Sequence, residues 1–125
     1  KYGYPVKADR SVYEVKAEDL DGIVIPGGWA PDKLRMSEEI LELVREVMRR
    51  GKVIACICHG GWVLASADVV RGKRVTSYKA IKDDLIHAGA QWLDEEVVVD
   101  GNLITSRKPE DLFAFMRETI RALER

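Results

Sequence analysis

Val53-Ile54-Ala55-Cys56-Ile57-Cys58-His59-Gly60-Gly61-Trp62 is the stretch on which the reading of this chain turns. The unbroken apolar run from Val53 to Cys58 has the pattern of a strand buried on both faces, as in a parallel sheet. The paired glycines then let the backbone turn abruptly, and Gly61 to Ala67 is apolar nearly all round, as a helix packed beneath other elements must be. Strand, glycine turn and buried helix are the expected local order, with Cys58 as the last strand residue.

Working outward, Gly22-Ile-Val-Ile-Pro26 is a second buried strand that stops in the glycine turn Pro26-Gly27-Gly28. Ser37 is placed to cap a helix that carries acidic residues in its first turn and Ile40, Leu41, Val44, Val47 and Met48 on one face. Arg49 and Arg50 suit its C-terminal end, and Gly51 suits the left-handed position beyond it. Further on, a strand is expected over Arg74 to Ser77, a short helix from Ile81 to His87, and a hairpin from Glu96 to Thr105 with Asp100-Gly101 at its turn. Pro109 fits the first position of a last helix with Leu112, Met116, Ile120 and Leu123 as its apolar stripe. The elements add up to an α/β domain over residues 1–125, with a doubly wound, mostly parallel sheet and helices on both faces.

Composition narrows the function. The 125 residues, 46% hydrophobic and 33% charged, are enough for one core and too few for two. With 20 basic and 21 acidic residues spread along the chain, nothing favours nucleic acid or an anionic membrane surface. No apolar run approaches the roughly 20 residues of a spanning helix, and no leader pattern opens the chain. A cytoplasmic protein acting on a small molecule or another protein is expected. Cys56 and Cys58, expected to point to opposite faces, form no disulfide framework, which fits a reducing compartment.

Both glycine turns lie at the carboxyl ends of strands, where open α/β sheets bind ligands. Cys56-Ile57-Cys58-His59-Gly60 has the spacing of a nucleophile elbow, which lifts the central thiol into the open at a helix N-terminus that favours the thiolate. Cysteine in an apolar strand is more often core material, and that reading suits Cys56. A metal site of Cys56, Cys58 and His59 is the weaker alternative, because the residues are contiguous and no second ligand cluster accompanies them. Backbone N–H groups at Gly28 and His59 could receive a developing oxyanion, although a mere tight turn explains Gly27 and Gly28 equally well. Trp29, Trp62, Tyr78 and Arg107 are further candidates for pocket walls, while His87 is read as a helix C-terminal charge.

Taken together, Ile25-Pro-Gly-Gly-x-Ala-Pro31, Ile57-Cys-His-Gly60, Thr76-Ser77, Asp83-Asp84, Ala88-Gly-Ala90, Glu95-Glu-Val-Val-Val-Asp-Gly101 and Ser106-Arg107 to Asp111-Leu112 resemble, in order and spacing, the PfpI-type intracellular protease family. This is the ThiJ/PfpI branch of the class I glutamine amidotransferase-like superfamily. The resemblance implies a flavodoxin-like fold, a homo-oligomer (dimer or hexamer), and a cysteine hydrolase that needs no metal or organic cofactor. Its substrates would be peptides or glycated, dicarbonyl-derived adducts, and the alternative is a non-catalytic, redox-responsive stress or chaperone-like protein. Carried over, Cys58 is the nucleophile, His59 its acid/base partner, and Gly28 with His59 the oxyanion site. Asp32 is the carboxylate that reaches the histidine of a neighbouring subunit; Gly27, Trp29, Gly60 and Arg107 line the substrate. The family's usual opening strand, helix and strand, with a glutamate facing the cysteine, have no counterpart in these residues. The domain is therefore expected to be N-terminally incomplete.

Overall fold

A computed structural model describes residues 4–125. Its main sheet has the order β1-β2-β6-β5, built from β1 (Gly22–Ile25), β2 (Val53–Ile57), β5 (Val97–Asp100) and β6 (Leu103–Ser106). β1 pairs parallel with β2, and β2 parallel with β6, while β5 returns antiparallel against β6. β3 (Arg74–Val75) and β4 (Gln91–Trp92) form a separate parallel pair. The expected strand over Arg74 to Ser77 is thus half as long: after Val75 the Thr76 amide donates to Thr105 Oγ1 at 2.9 Å instead of entering a ladder.

Helix α2 (Glu38–Arg49) begins as its sequence dictates, with Ser37 Oγ accepting from the Ile40 amide and Gly51 at φ 68° just beyond its end. It packs with α3 (Gly61–Ala67) on one face of the sheet, where Leu41, Val44, Val47, Val63 and Leu64 meet Ile54 and Cys56. Alternation sends Val53, Ala55 and Ile57 to the other face, against Phe115 of α5 (Leu112–Glu124) and Ile104. β2 is buried along its whole length for this reason.

Two short helices complete the frame: α1 (Ala30–Leu34), with Pro31 in its first turn, and α4 (Lys82–His87), whose last turn carries an exposed His87. The hairpin differs from expectation in one respect. Asp100 pairs with Leu103, so the two-residue loop is Gly101-Asn102, with Gly101 at φ 62°. A loop of this length needs a positive φ at its first residue, which glycine adopts without the steric cost that a Cβ brings.

The stripe expected to bury α5 is also corrected. Leu112, Met116, Ile120 and Leu123 are exposed, and the helix is seated instead by Ala114, Phe115 and Thr119. Periodicity marks both apolar sides of such a helix but cannot say which one meets the sheet.

Candidate active site

The carboxyl end of β2 builds the site. The strand ends at Ile57, not at Cys58, and Cys58 opens a single 3₁₀ turn with φ 62°. That left-handed conformation costs a residue with a Cβ about 1–2 kcal/mol, so the surrounding packing must enforce it. Two glycines do. A Cβ on Gly27 would lie 2.7 Å from Cys58 Cβ and 3.2 Å from its Sγ, and a Cβ on Gly60 would lie 2.9 Å from Cys56 Sγ and 3.0 Å from the carbonyl oxygens of Ile25 and Pro26. The β1 and β2 turns therefore close against each other with no room for side chains.

The same turn separates the two thiols. The opposite faces expected for Cys56 and Cys58 are found, but strand alternation is not the cause, because residues two apart in a strand share a face. The left-handed step at Cys58 sends them apart, Cys56 into the α2–α3 core and Cys58 toward the α5 side. Burial pushes the Cys56 thiol far above its ordinary range, with neighbouring Cys58 adding to the effect. Cys56 is therefore a packing residue, as its place at the elbow's flank implied. Cys58 is only partly buried and borders an apolar pocket of about 220 Å³ with Gly27, Gly28, Ile57, Pro109 and Leu112.

His59 stands beside the thiol, its Nδ1 3.4 Å from Cys58 Sγ. The ring is held from two sides: Tyr78 stacks on it at 5.1 Å between centroids with 27° between planes, and Trp62 meets it edge-on at 5.1 Å. Trp62 is anchored in turn, donating from Nε1 to Asp84 at 2.8 Å and lying under the Arg35 guanidinium at 5.2 Å. Arg35 itself donates from Nε to Ser66 Oγ at 3.0 Å. The Tyr78 amide also donates to the Cys58 carbonyl at 3.3 Å, which ties the segment after β3 to the elbow. Trp62 and Tyr78 were legible only as candidate wall residues. Asp84 was legible only as part of the resemblance and Arg35 not at all; that both steady Trp62 was hidden, because the contacts join the end of α1 with α3 and α4.

The remaining candidates divide. Gly27 and Gly28 lie at the thiol, Gly28 at φ 72° with open space where a side chain would stand. Gly60 is buried in the turn's packing. Asp32 is exposed at the start of α1 and is not bonded to His59 within the subunit. Trp29 is 69% exposed, just ahead of the same helix.

Arg107 is tied up: its guanidinium donates from Nε and Nη2 to the Asp111 carboxylate at 2.8 and 3.1 Å and from Nη1 to Asp94 at 2.9 Å. The buried Asp111 carboxyl is held below the usual carboxylate range by this guanidinium. Arg107 still walls a polar cleft of about 610 Å³ with Ser77, Tyr78, Lys79 and Lys108, which shares Pro109 with the apolar pocket at Cys58.

Set beside known proteins, residues 1–122 match the DJ-1/PfpI family. The chain belongs to that family. It is 48% identical over 124 residues to the deglycase PfpI of Pyrococcus furiosus, a match that spans 99% of this chain and 75% of the relative. A protein/nucleic acid deglycase of Escherichia coli is 44% identical over 119 residues, covering 94% of this chain and 69% of that one. Among solved structures, a two-domain protein of Anabaena variabilis with DJ-1/ThiJ/PfpI-like and ferritin-like domains superposes with a TM-score of 0.93 at 46% identity. The superposition covers 95% of this chain and 34% of that one. The flavodoxin-like, mostly parallel sheet expected from the resemblance is therefore the fold.

Proposed function

We propose that this chain carries cysteine-nucleophile hydrolase chemistry of the deglycase type, with Cys58 as nucleophile and His59 as its acid/base partner. The observation that carries the reading is the elbow itself: a non-glycine residue held at φ 62°, its sulfur 3.4 Å from an imidazole nitrogen and open to a pocket. A backbone held in so unfavourable a conformation by its neighbours is the kind of strain that collects at functional sites. The relatives named as deglycases add support.

In the proposed reaction His59 takes the thiol proton, Cys58 Sγ bonds to a carbonyl carbon, and that carbonyl's electron pair moves onto its oxygen. The amides of Gly28 and His59 are the proposed donors to the oxygen. Where that carbonyl is a peptide amide, collapse of the intermediate breaks the bond to the leaving amine, which recovers the proton from His59, and water then releases the acyl group from sulfur. Trp62 and Tyr78 hold the imidazole in register through both proton transfers. Asp32 is exposed and unbonded to its own His59, which suits a role toward the His59 of a second copy in a homo-oligomer. Gly27, Gly60, Trp29 and Arg107 belong to the surroundings of the substrate in this reading. Two unpaired thiols suit a cytoplasmic setting.

The test is turnover of a methylglyoxal-modified peptide, with a fluorogenic unmodified peptide as second arm, by the wild-type chain, Cys58→Ala and Cys56→Ala. Turnover of the modified peptide that is lost in Cys58→Ala and kept in Cys56→Ala is the expected result. Equal, slow iodoacetamide labelling of both cysteines, with no turnover in either arm, overturns it.

A further inference from the structure

Among the described residues, the His59 ring meets a polar partner only at Cys58 Sγ, and its plane is set by Tyr78 and Trp62. Contacts between rings fix a plane but resist sliding weakly, because dispersion and quadrupole attraction change slowly with lateral position. Hydrogen bonds are directional and do resist it. The groups that bond the two neighbouring rings in place therefore also set where His59 stands.

Trp62 is held by such a bond. Its Nε1 donates to Asp84 Oδ2 at 2.8 Å, while the Arg35 guanidinium, itself bonded from Nε to Ser66 Oγ, lies 5.2 Å from the ring centroid. A rotation of the indole loses both contacts. Tyr78 is held through its backbone: its amide donates to the Cys58 carbonyl at 3.3 Å, and its carbonyl accepts from Ser77 Oγ at 2.9 Å. Ser77, buried, accepts in turn at Oγ from Trp92 Nε1 at 2.9 Å. Lys82 Nζ stands 5.2 Å over the Trp92 ring.

Both lines end on one short unit of the chain. Lys82 and Asp84 lie in the first turn of α4, and Trp92 lies in β4, the strand that follows it. Each indole spends its N–H on a hydrogen bond and its face on a cation, which fixes a ring in position as well as in plane. Acidic residues in a first turn also suit the helix dipole, a role that needs no partner on another element. Asp83 fits that simpler role: it is exposed in the same turn, but Asp84 is the carboxylate that reaches Trp62.

We propose that Asp84, through Trp62, and Trp92, through Ser77 and Tyr78, are positioning residues for His59 that keep its Nδ1 against the Cys58 thiol during proton transfer. Neither touches the reacting atoms. The inference rests on the reading of His59 as the acid/base partner of Cys58.

The test compares Asp84→Ala, Asp84→Asn, Asp83→Ala and Trp92→Phe. In turnover of the methylglyoxal-modified peptide, kcat is expected to fall by about tenfold in Asp84→Ala and Trp92→Phe with KM unchanged. Asp84→Asn keeps an acceptor oxygen for the indole and Asp83→Ala leaves the bond to Trp62 intact, so both should stay within about twofold of the wild type. Iodoacetamide labelling of Cys58 near neutral pH reads the same coupling without turnover. It is expected to slow by at least about threefold in Asp84→Ala and Trp92→Phe, and by nothing further once His59 is replaced by alanine. Wild-type kcat and labelling in either variant overturn the role of that residue. Slowing that persists in the His59→Ala background overturns both, since the two residues then act on the fold at large. Turnover absent from the wild type, with the labelling pattern intact, removes the hydrolase reading and leaves the positioning roles standing.

Discussion

The two faces of the sheet are unequal. On the α2–α3 side, strand and helix side chains interlock into a closed core in which Val47, Ile54, Val63 and Leu64 have no solvent contact. On the α5 side one helix covers β2, β6 and β5, and leaves Val24 and its own outer stripe in water. The turn at Cys58 sits at the boundary, with Cys56 committed to the closed face and Cys58 to the open one. An inert thiol and an accessible one, two residues apart, are thus a consequence of the asymmetry and of one left-handed residue.

The comparison breaks most readily at its extremes. Leu64→Ala opens a cavity in the closed face and should cost about 3–5 kcal/mol, whereas Ile120→Ala on the outer stripe should cost less than about 1 kcal/mol. Urea midpoints for the two variants decide it. Equal costs would mean that the α5 stripe is covered in the chain alone.

Gly27→Ala tests the boundary. The new Cβ would fall 2.7 Å from Cys58 Cβ, an atom fixed to the backbone, so the elbow has to move. A stability loss of about 1–3 kcal/mol is expected, with about 100-fold lower turnover as the thiol leaves its register. Wild-type turnover and an unchanged melting temperature would show that the two glycine turns are not rigidly opposed.

Beneath the open face, Asp111 anchors Arg107, and Asp111→Asn should cost about 1–3 kcal/mol at neutral pH. The sign of the pH effect follows from the direction of the shift. The Asp111 carboxyl titrates lower in the folded chain than in the unfolded one, so its stabilisation is complete above the ordinary carboxylate range and fades as pH falls through and below about 4. Denaturation midpoints followed from about pH 6 to about pH 2 should fall less steeply in the variant, and identical slopes would remove Asp111 from the acid response.

The smallest effect concerns strain. Glycine tolerates φ 62° and alanine does not, so Cys58→Gly should be more stable than Cys58→Ala by about 1 kcal/mol. Calorimetric melting of the pair measures it, and a more stable alanine variant would mean that the elbow relaxes once the sulfur is gone.

Much of this layout was legible in the residues. Ser37 and Gly51 bracket α2 because capping and left-handed termination depend on single residue types, and both act locally. The elbow spacing around Cys58 was legible for the same reason: a turn this tight admits few residues at its flanks. The α5 stripe was misread because periodicity reports which residues share a side of a helix and nothing about what stands opposite. The hold of Asp84 and Arg35 on Trp62 was invisible because they reach it from separate helices with no common spacing.

By itself, then, the sequence determined the order of strands and helices and the position of the sharp turn. Both rest on interactions between residues close along the chain. Only the tertiary structure decided that the strand stops at Ile57, that Tyr78 and Trp62 hold His59, and that one face of the sheet is closed while the other stays open. Those outcomes depend on distant segments competing for the same space, and no local pattern records which of them wins.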